Sequence, residues 1–275
     1  MHMEFRRMRR SQNRTALIAG MLAIWLGSRG SAAPAPDTAV YTAASVEFQG
    51  LVAQARQDTD MPQLTNPKAA KLISTLSDTR TLSLRTYGMK DMSGLMDMCD
   101  RSNKAVMAYV MFDAKSIMNA QSDPQRLAAR LAPLMEKNIR TFQNELQQLQ
   151  PFLFRCVAKE IPLLTEFVQS LKPADFTAVR REGLKQARNG MFNVYYGALQ
   201  ASSDHAYAES YRTKILQTLA EITPQYASIL PLQARRQIAG LATSNQPKAS
   251  LLLHDDLQKI IAGMSDPRCE GLCAL

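Results

Sequence analysis

The run PQRLAARLAPLMEKNIRTFQNELQQLQPFLFRCVAKEIPLLTEFVQSL, residues 124–171, decides the fold class. Leu127, Leu131, Met135, Ile139, Phe142, Leu146, Leu149, Leu153 and Cys156 recur at steps of three and four, which keeps them on one side of a 3.6-residue helix. Between them lie Glu136, Lys137, Arg140, Gln143, Asn144, Gln147 and Gln148, which belong in water. The stretch is therefore amphipathic and needs other helices to cover its apolar stripe. Pro133, Pro151 and Pro162 fall inside it, and each removes one backbone hydrogen bond at a cost of about 3 kcal/mol. The expectation is a spine of two helices in sequence, broken just before Pro151.

Outward from this spine the same pattern continues. Residues 37–57 read as a helix with Val40, Ala44, Phe48, Leu51 and Ala55 inward, and Asn66-Pro67 is a start signal. Residues 81–119 are helical with an interruption at Gly88, although 81–86 also alternates as a short strand would. Ser122, Asp123 and Pro124 cap the spine. Residues 173–202 and 205–222 give two further helices, Pro224 and Pro231 punctuate a pair ending near Thr243, and residues 248–262 form the last. No run of β-branched residues alternates long enough to build a sheet, and no repeat of fixed period is present. The chain reads as all-α, a multi-helix bundle or stacked helical array of about eight to nine helices.

The first residues read differently. Arg6, Arg7, Arg9, Arg10 and Arg14 precede an apolar stretch, residues 16–26, and small residues follow up to Ala33. Eleven apolar residues span roughly 17 Å as a helix, against about 30 Å of hydrocarbon core. The order fits a signal peptide cleaved after Ala32 rather than an anchor. A single helical domain, 33–275, is expected beyond it, with a sub-division near 172, in the periplasm or secreted. No transmembrane segment is expected after processing.

Charge and cysteine usage bound the partners. Residues 1–32 hold six Arg and one Glu, so the rest of the chain carries +4 of the formal +9. That is too little for a nucleic-acid-binding surface, so no nucleic acid is expected. Four cysteines, Cys99, Cys156, Cys269 and Cys273, suit two disulfides in an oxidising compartment. Of the three pairings, Cys99 with Cys156 and Cys269 with Cys273 is expected: the first pair lies on the apolar stripes of two long helices, and the second closes a short loop. Haem attachment is excluded because three residues separate Cys269 from Cys273 and Ala274 follows.

No catalytic signature stands out. Met89, Met92, Met96, Met98, Met107, Met111 and Met118 crowd one segment beside Cys99. Thioethers there suit a helical core or a flexible groove, and Met89, Met92, Met96, Met98 and Cys99 are alternatively soft ligands for Cu(I). Gly183, Gly190 and Gly197 recur every seven residues with Ala187, Val194 and Ala201, a face on which a second backbone can approach closely. Arg181, Lys185 and Arg188 lie opposite, as a basic outer face for an anionic surface. His205 and His254 complete no metal or acid/base motif. Asp97, Asp100, Asp113, Glu160 and Glu166 are the carboxylates from which a hydrolytic pair would be drawn. No cofactor is expected. The reading is a non-catalytic binding protein that takes a protein, peptide or amphipathic ligand of the cell envelope in Met-rich and apolar helical grooves. A copper-handling protein and a hydrolase are the alternatives.

Overall fold

The computed structural model describes residues 38–58, 60–83, 86–120, 123–246, 251–266, 269 and 271–275. The expected signal peptide lies outside these. The elements are α1 (Ala39–Asp58), α2 (Pro67–Leu76), α3 (Arg80–Ser83), α4 (Met92–Val110), α5 (Lys115–Ala120), α6 (Pro124–Thr141), α7 (Gln143–Ser170), α8 (Ala178–Ser202), α9 (Glu209–Ile229), α10 (Leu232–Asn245) and α11 (Leu251–Met264). Short 3₁₀ turns lie at Met89–Asp91, Pro173–Asp175 and Gly271–Ala274, and there is no strand among the described residues.

Helix starts follow local chemistry. Asn66 Oδ1 accepts from the amides of Lys68 and Ala69, and Pro67 supplies a first-turn residue whose missing N–H is not needed. Asp123 does the same for α6, accepting from Gln125 and Arg126 at 2.9 and 3.2 Å.

The spine divides, but not at the expected place. It breaks at Phe142, whose φ and ψ are −108° and 27°, and α7 then runs unbroken through both Pro151 and Pro162. Tertiary contacts select the break. Buried Asn138 donates to the carbonyls of Val110 and Phe112 at 3.1 and 2.8 Å, and Phe142 packs on Tyr109 and Phe112. Around Pro151, by contrast, Leu149, Phe152, Leu153 and Phe154 are all buried, so the lost hydrogen bond is offset by packing. Pro224 is likewise carried inside α9 instead of ending it.

α7 is the hub. It packs against α4 on one side and α9 on the other, and α2 and α3 meet it too; α9 in turn packs on α8 and α11, and α11 on α10. One continuous core cluster runs from Tyr41 to Leu272. α1 enters it through Tyr41, Ala44, Phe48, Val52 and Ala55, with Tyr41 stacked on Phe152 at 5.1 Å. Val40, expected inward, is 71% exposed, because Tyr41 rather than its neighbour meets α7.

Cys99 is bonded to Cys156, joining α4 to α7 with Cα atoms 5.5 Å apart, and Cys269 to Cys273 at 5.7 Å. Closing a loop with a sequence separation of 57 contributes about 4 kcal/mol by loop-closure entropy. No helix among the described residues is long and apolar enough to cross a membrane.

α11 meets α9 at Gly263, where an added Cβ would lie 2.6 Å from Thr223 Cγ2. Thr223 cannot turn away freely, since its Oγ1 bonds Leu219 O and Tyr195 Oη, both at 2.7 Å. Gly263→Ala should therefore lower stability by about 1–3 kcal/mol in spite of its better helix propensity. Adding Thr223→Ser removes the clashing methyl and keeps the hydroxyl, so thermal denaturation of the double variant should recover most of the loss.

Candidate functional site

Two helices and one corner enclose a polar groove of about 800 Å³. α7 supplies Gln147, Gln148, Pro151, Arg155, Ala158 and Lys159, which share the side of the helix turned away from Leu149, Leu153 and Cys156. α9 supplies Ser210, Lys214, Glu221, Ile222 and Gln225, again at helical spacing. The corner between α2 and α3 closes one flank with Ser77, Thr79, Leu82 and Ser83. That corner is held by Asp78, whose Oδ1 accepts the Arg80 amide at 3.0 Å.

The groove is cationic. Among the described residues Arg155, Lys159 and Lys214 face a single lining carboxylate, Glu221. Arg155 and Glu221 bridge α7 and α9 as a fork: Nε lies 2.9 and 3.0 Å from the two carboxylate oxygens, and Nη2 lies 2.5 Å from Oε2. The hydrogen bonds from Arg155 hold the Glu221 carboxyl below its ordinary range, and the charges of Arg155, Lys214 and Lys159 act in the same direction. Lys159 and Lys214 form no ion pair of their own among the described residues.

Acceptors are present as well. Pro151 and Pro162 have no N–H, so the carbonyls of Gln147 and Ala158 lose the donor that an uninterrupted helix would supply, and both residues line the groove. Gln225 Oε1 is buried there without a hydrogen-bond partner. Such an atom costs free energy until a ligand or water satisfies it. Among the described residues no aromatic ring lines the groove.

The residues singled out in the sequence lie elsewhere. Met98 and Cys99 are buried, and Met89, Met92, Met107 and Met111 pack half-buried on the core. Met96 is half-buried and Met118 is exposed. Cys99 Sγ is committed to Cys156 and offers no thiolate. Among the described residues no three His, Cys, Asp or Glu side chains gather as a metal site would need.

The basic outer face does not hold together. Arg181 is exposed over the Phe176 ring at 5.1 Å and Lys185 is half-buried, but Arg188 is buried. Its Nη1 donates to Leu272 O at 2.9 Å, fixing the C-terminal disulfide turn, and burial pushes its pKa down. The periodic glycines also separate: Gly190 and Gly197 are buried, while Gly183 is exposed with open space around it. His205 is exposed, and His254 Nε2 lies 2.8 Å from Gln246 O. Of the carboxylates, Asp97 pairs with Arg101, and Asp113 and Glu166 are exposed. The groove residues Arg155, Lys159, Lys214 and Glu221 were not singled out by sequence. The signal for Arg155 and Lys159 is the polar stripe opposite the apolar one on α7, which reads as solvated surface until α9, with Lys214 and Glu221, is placed beside it.

Comparison with known proteins finds no matching family, no matching curated relative and no matching solved structure.

α7 carries two buried carboxyls: Glu145, which accepts the Leu64 amide, and Glu160. Glu160 is 7% exposed, and its Oε1 has no hydrogen-bond partner. Burial first, and the charge of Asp100 on α4 second, push its carboxyl up from an ordinary 4.5 to about 8. Tyr226 on α9 also faces it, with its own hydroxyl pushed up by burial and by Glu160. Below pH 4.5 both folded and unfolded chains hold this proton; between there and about pH 8 only the folded chain does. Stability should thus fall as pH rises through that window and level off above it. Glu160→Gln should flatten the dependence and raise the melting temperature at pH 8, as read by thermal denaturation across pH 4–9.

Proposed function

We propose that the protein is an exported, non-catalytic binding protein of the cell envelope, and that the groove between α7 and α9 takes an acidic, extended segment of another polypeptide. The carrying observation is the Arg155 fork, flanked by Lys159 and Lys214 in the groove lining. Positive groups attract carboxylates, while the carbonyls of Gln147 and Ala158, to which Pro151 and Pro162 supply no N–H, suit peptide N–H groups. From Gln147 to Lys159 α7 runs about 18 Å, room for roughly five or six extended residues. A glycan would be expected to rest a sugar face on an aromatic ring, and the described lining has none. Export is supported by the arginine-rich, apolar, small-residue order of the first 32 residues and by two disulfides.

The alternatives find less support. A copper site at Met89 to Cys99 would have to do without the Cys99 thiolate. A hydrolytic pair of Glu160 and Asp100 would need room for a substrate, and neither residue lines the groove.

Fluorescein-labelled hexaglutamate, titrated against the chain lacking residues 1–32 and followed by anisotropy, tests the proposal. Saturable binding is expected, weakened about 5- to 30-fold by Lys159→Gln with Lys214→Gln, since two exposed charges contribute roughly 0.5–1 kcal/mol each. It should also weaken at about 0.5 M salt, where charges are screened beyond about 4 Å. Tighter binding of an oligogalacturonate than of the peptide would reassign the groove to acidic glycans. Binding of neither, or binding unaffected by the two lysines, overturns the proposal.

A further inference from the structure

Resting on that reading of the groove, we infer that the Arg155 guanidinium is the subsite for one carboxylate of the ligand, and that Glu221 occupies it in the free protein as an internal stand-in. The geometry is that of carboxylate recognition: two nitrogens of one planar fork meet both oxygens of Glu221. The two partners are unequally fixed. The Arg155 side chain is 21% exposed and Glu221 is 55% exposed, so the arginine stays in the groove wall while the glutamate can leave. Glu221 is open to water, so its departure is compensated by hydration and by the incoming carboxylate, which remakes the same two-pronged contact. The displaced Glu221 stays near Lys214 and Lys159, whose charges favour its ionised form. Ligand entry is then an exchange of one carboxylate for another, with the groove's excess positive charge holding the rest of the acidic segment.

A second role for the same pair, a strap that only ties α7 to α9, gives opposite results in one set of variants. With hexaglutamate as the probe, Glu221→Gln should tighten binding about three- to fivefold, the gain from removing a weak competing pair. Arg155→Lys, which keeps the charge but lacks the fork, should weaken it. Removing a negative charge near any anion site raises affinity, so the deciding comparison is Glu221→Gln made in an Arg155→Gln background. There the gain should vanish if Glu221 competes for the fork. A gain that persists without Arg155, or a Glu221→Gln variant that binds no tighter and melts lower, overturns the subsite. If the Lys159 and Lys214 variants still weaken binding in that case, the acidic-peptide groove stands and only the Arg155 exchange is lost. If they have no effect either, the groove reading itself falls.

Discussion

Everything in this molecule depends on α7 being covered on two sides at once. Its apolar stripe and Cys156 are taken up by α4, where the disulfide to Cys99 fixes the pairing, and α9 packs along its flank. With those two contacts made, the third side of α7 is left to solvent, and the side chains there become one wall of the groove. Fold and candidate site are thus two faces of one helix. A change that loosened α7 from α4 would also move Arg155 relative to Glu221.

The polar groups inside the core do positional work. Glu145 Oε1 accepts the Leu64 amide at 3.0 Å, Tyr109 Oη donates to Pro62 O at 2.6 Å, and Tyr211 donates to Gln150 at 2.8 Å. Each joins a side chain on a long helix to a loop or to another helix, satisfying groups that would otherwise be costly to bury. Glu160 breaks this pattern, as a buried carboxyl with an oxygen left unmet and Asp100 close by. Its protonated form is the one the fold accommodates at neutral pH.

The sequence was legible where local physics decides. The apolar stripe of α7, the caps at Asn66 and Asp123 and the all-helical class follow from spacing and turn chemistry, and the disulfide pairing from which cysteines lie on apolar stripes. It was illegible where a distant partner decides. Phe142 became the break because Tyr109 and Phe112 receive it, and Tyr41 replaced Val40 because Phe152 stacks there. Arg188 reads as a surface charge until the Leu272 carbonyl is placed beside it. The groove is the extreme case: Arg155 and Glu221 lie 66 residues apart, and nothing local to either predicts the other.

The most direct measurement is amide chemical-shift mapping by NMR of the isotopically labelled chain titrated with hexaglutamate. Shifts should saturate and concentrate on residues 147–159 of α7, 210–225 of α9 and the corner at Ser77 to Ser83, with the Arg155 Nε–H resonance among the most strongly moved. Shifts centred on α4 around Met92 and Met98, or scattered over basic residues throughout the surface, would contradict the proposed groove.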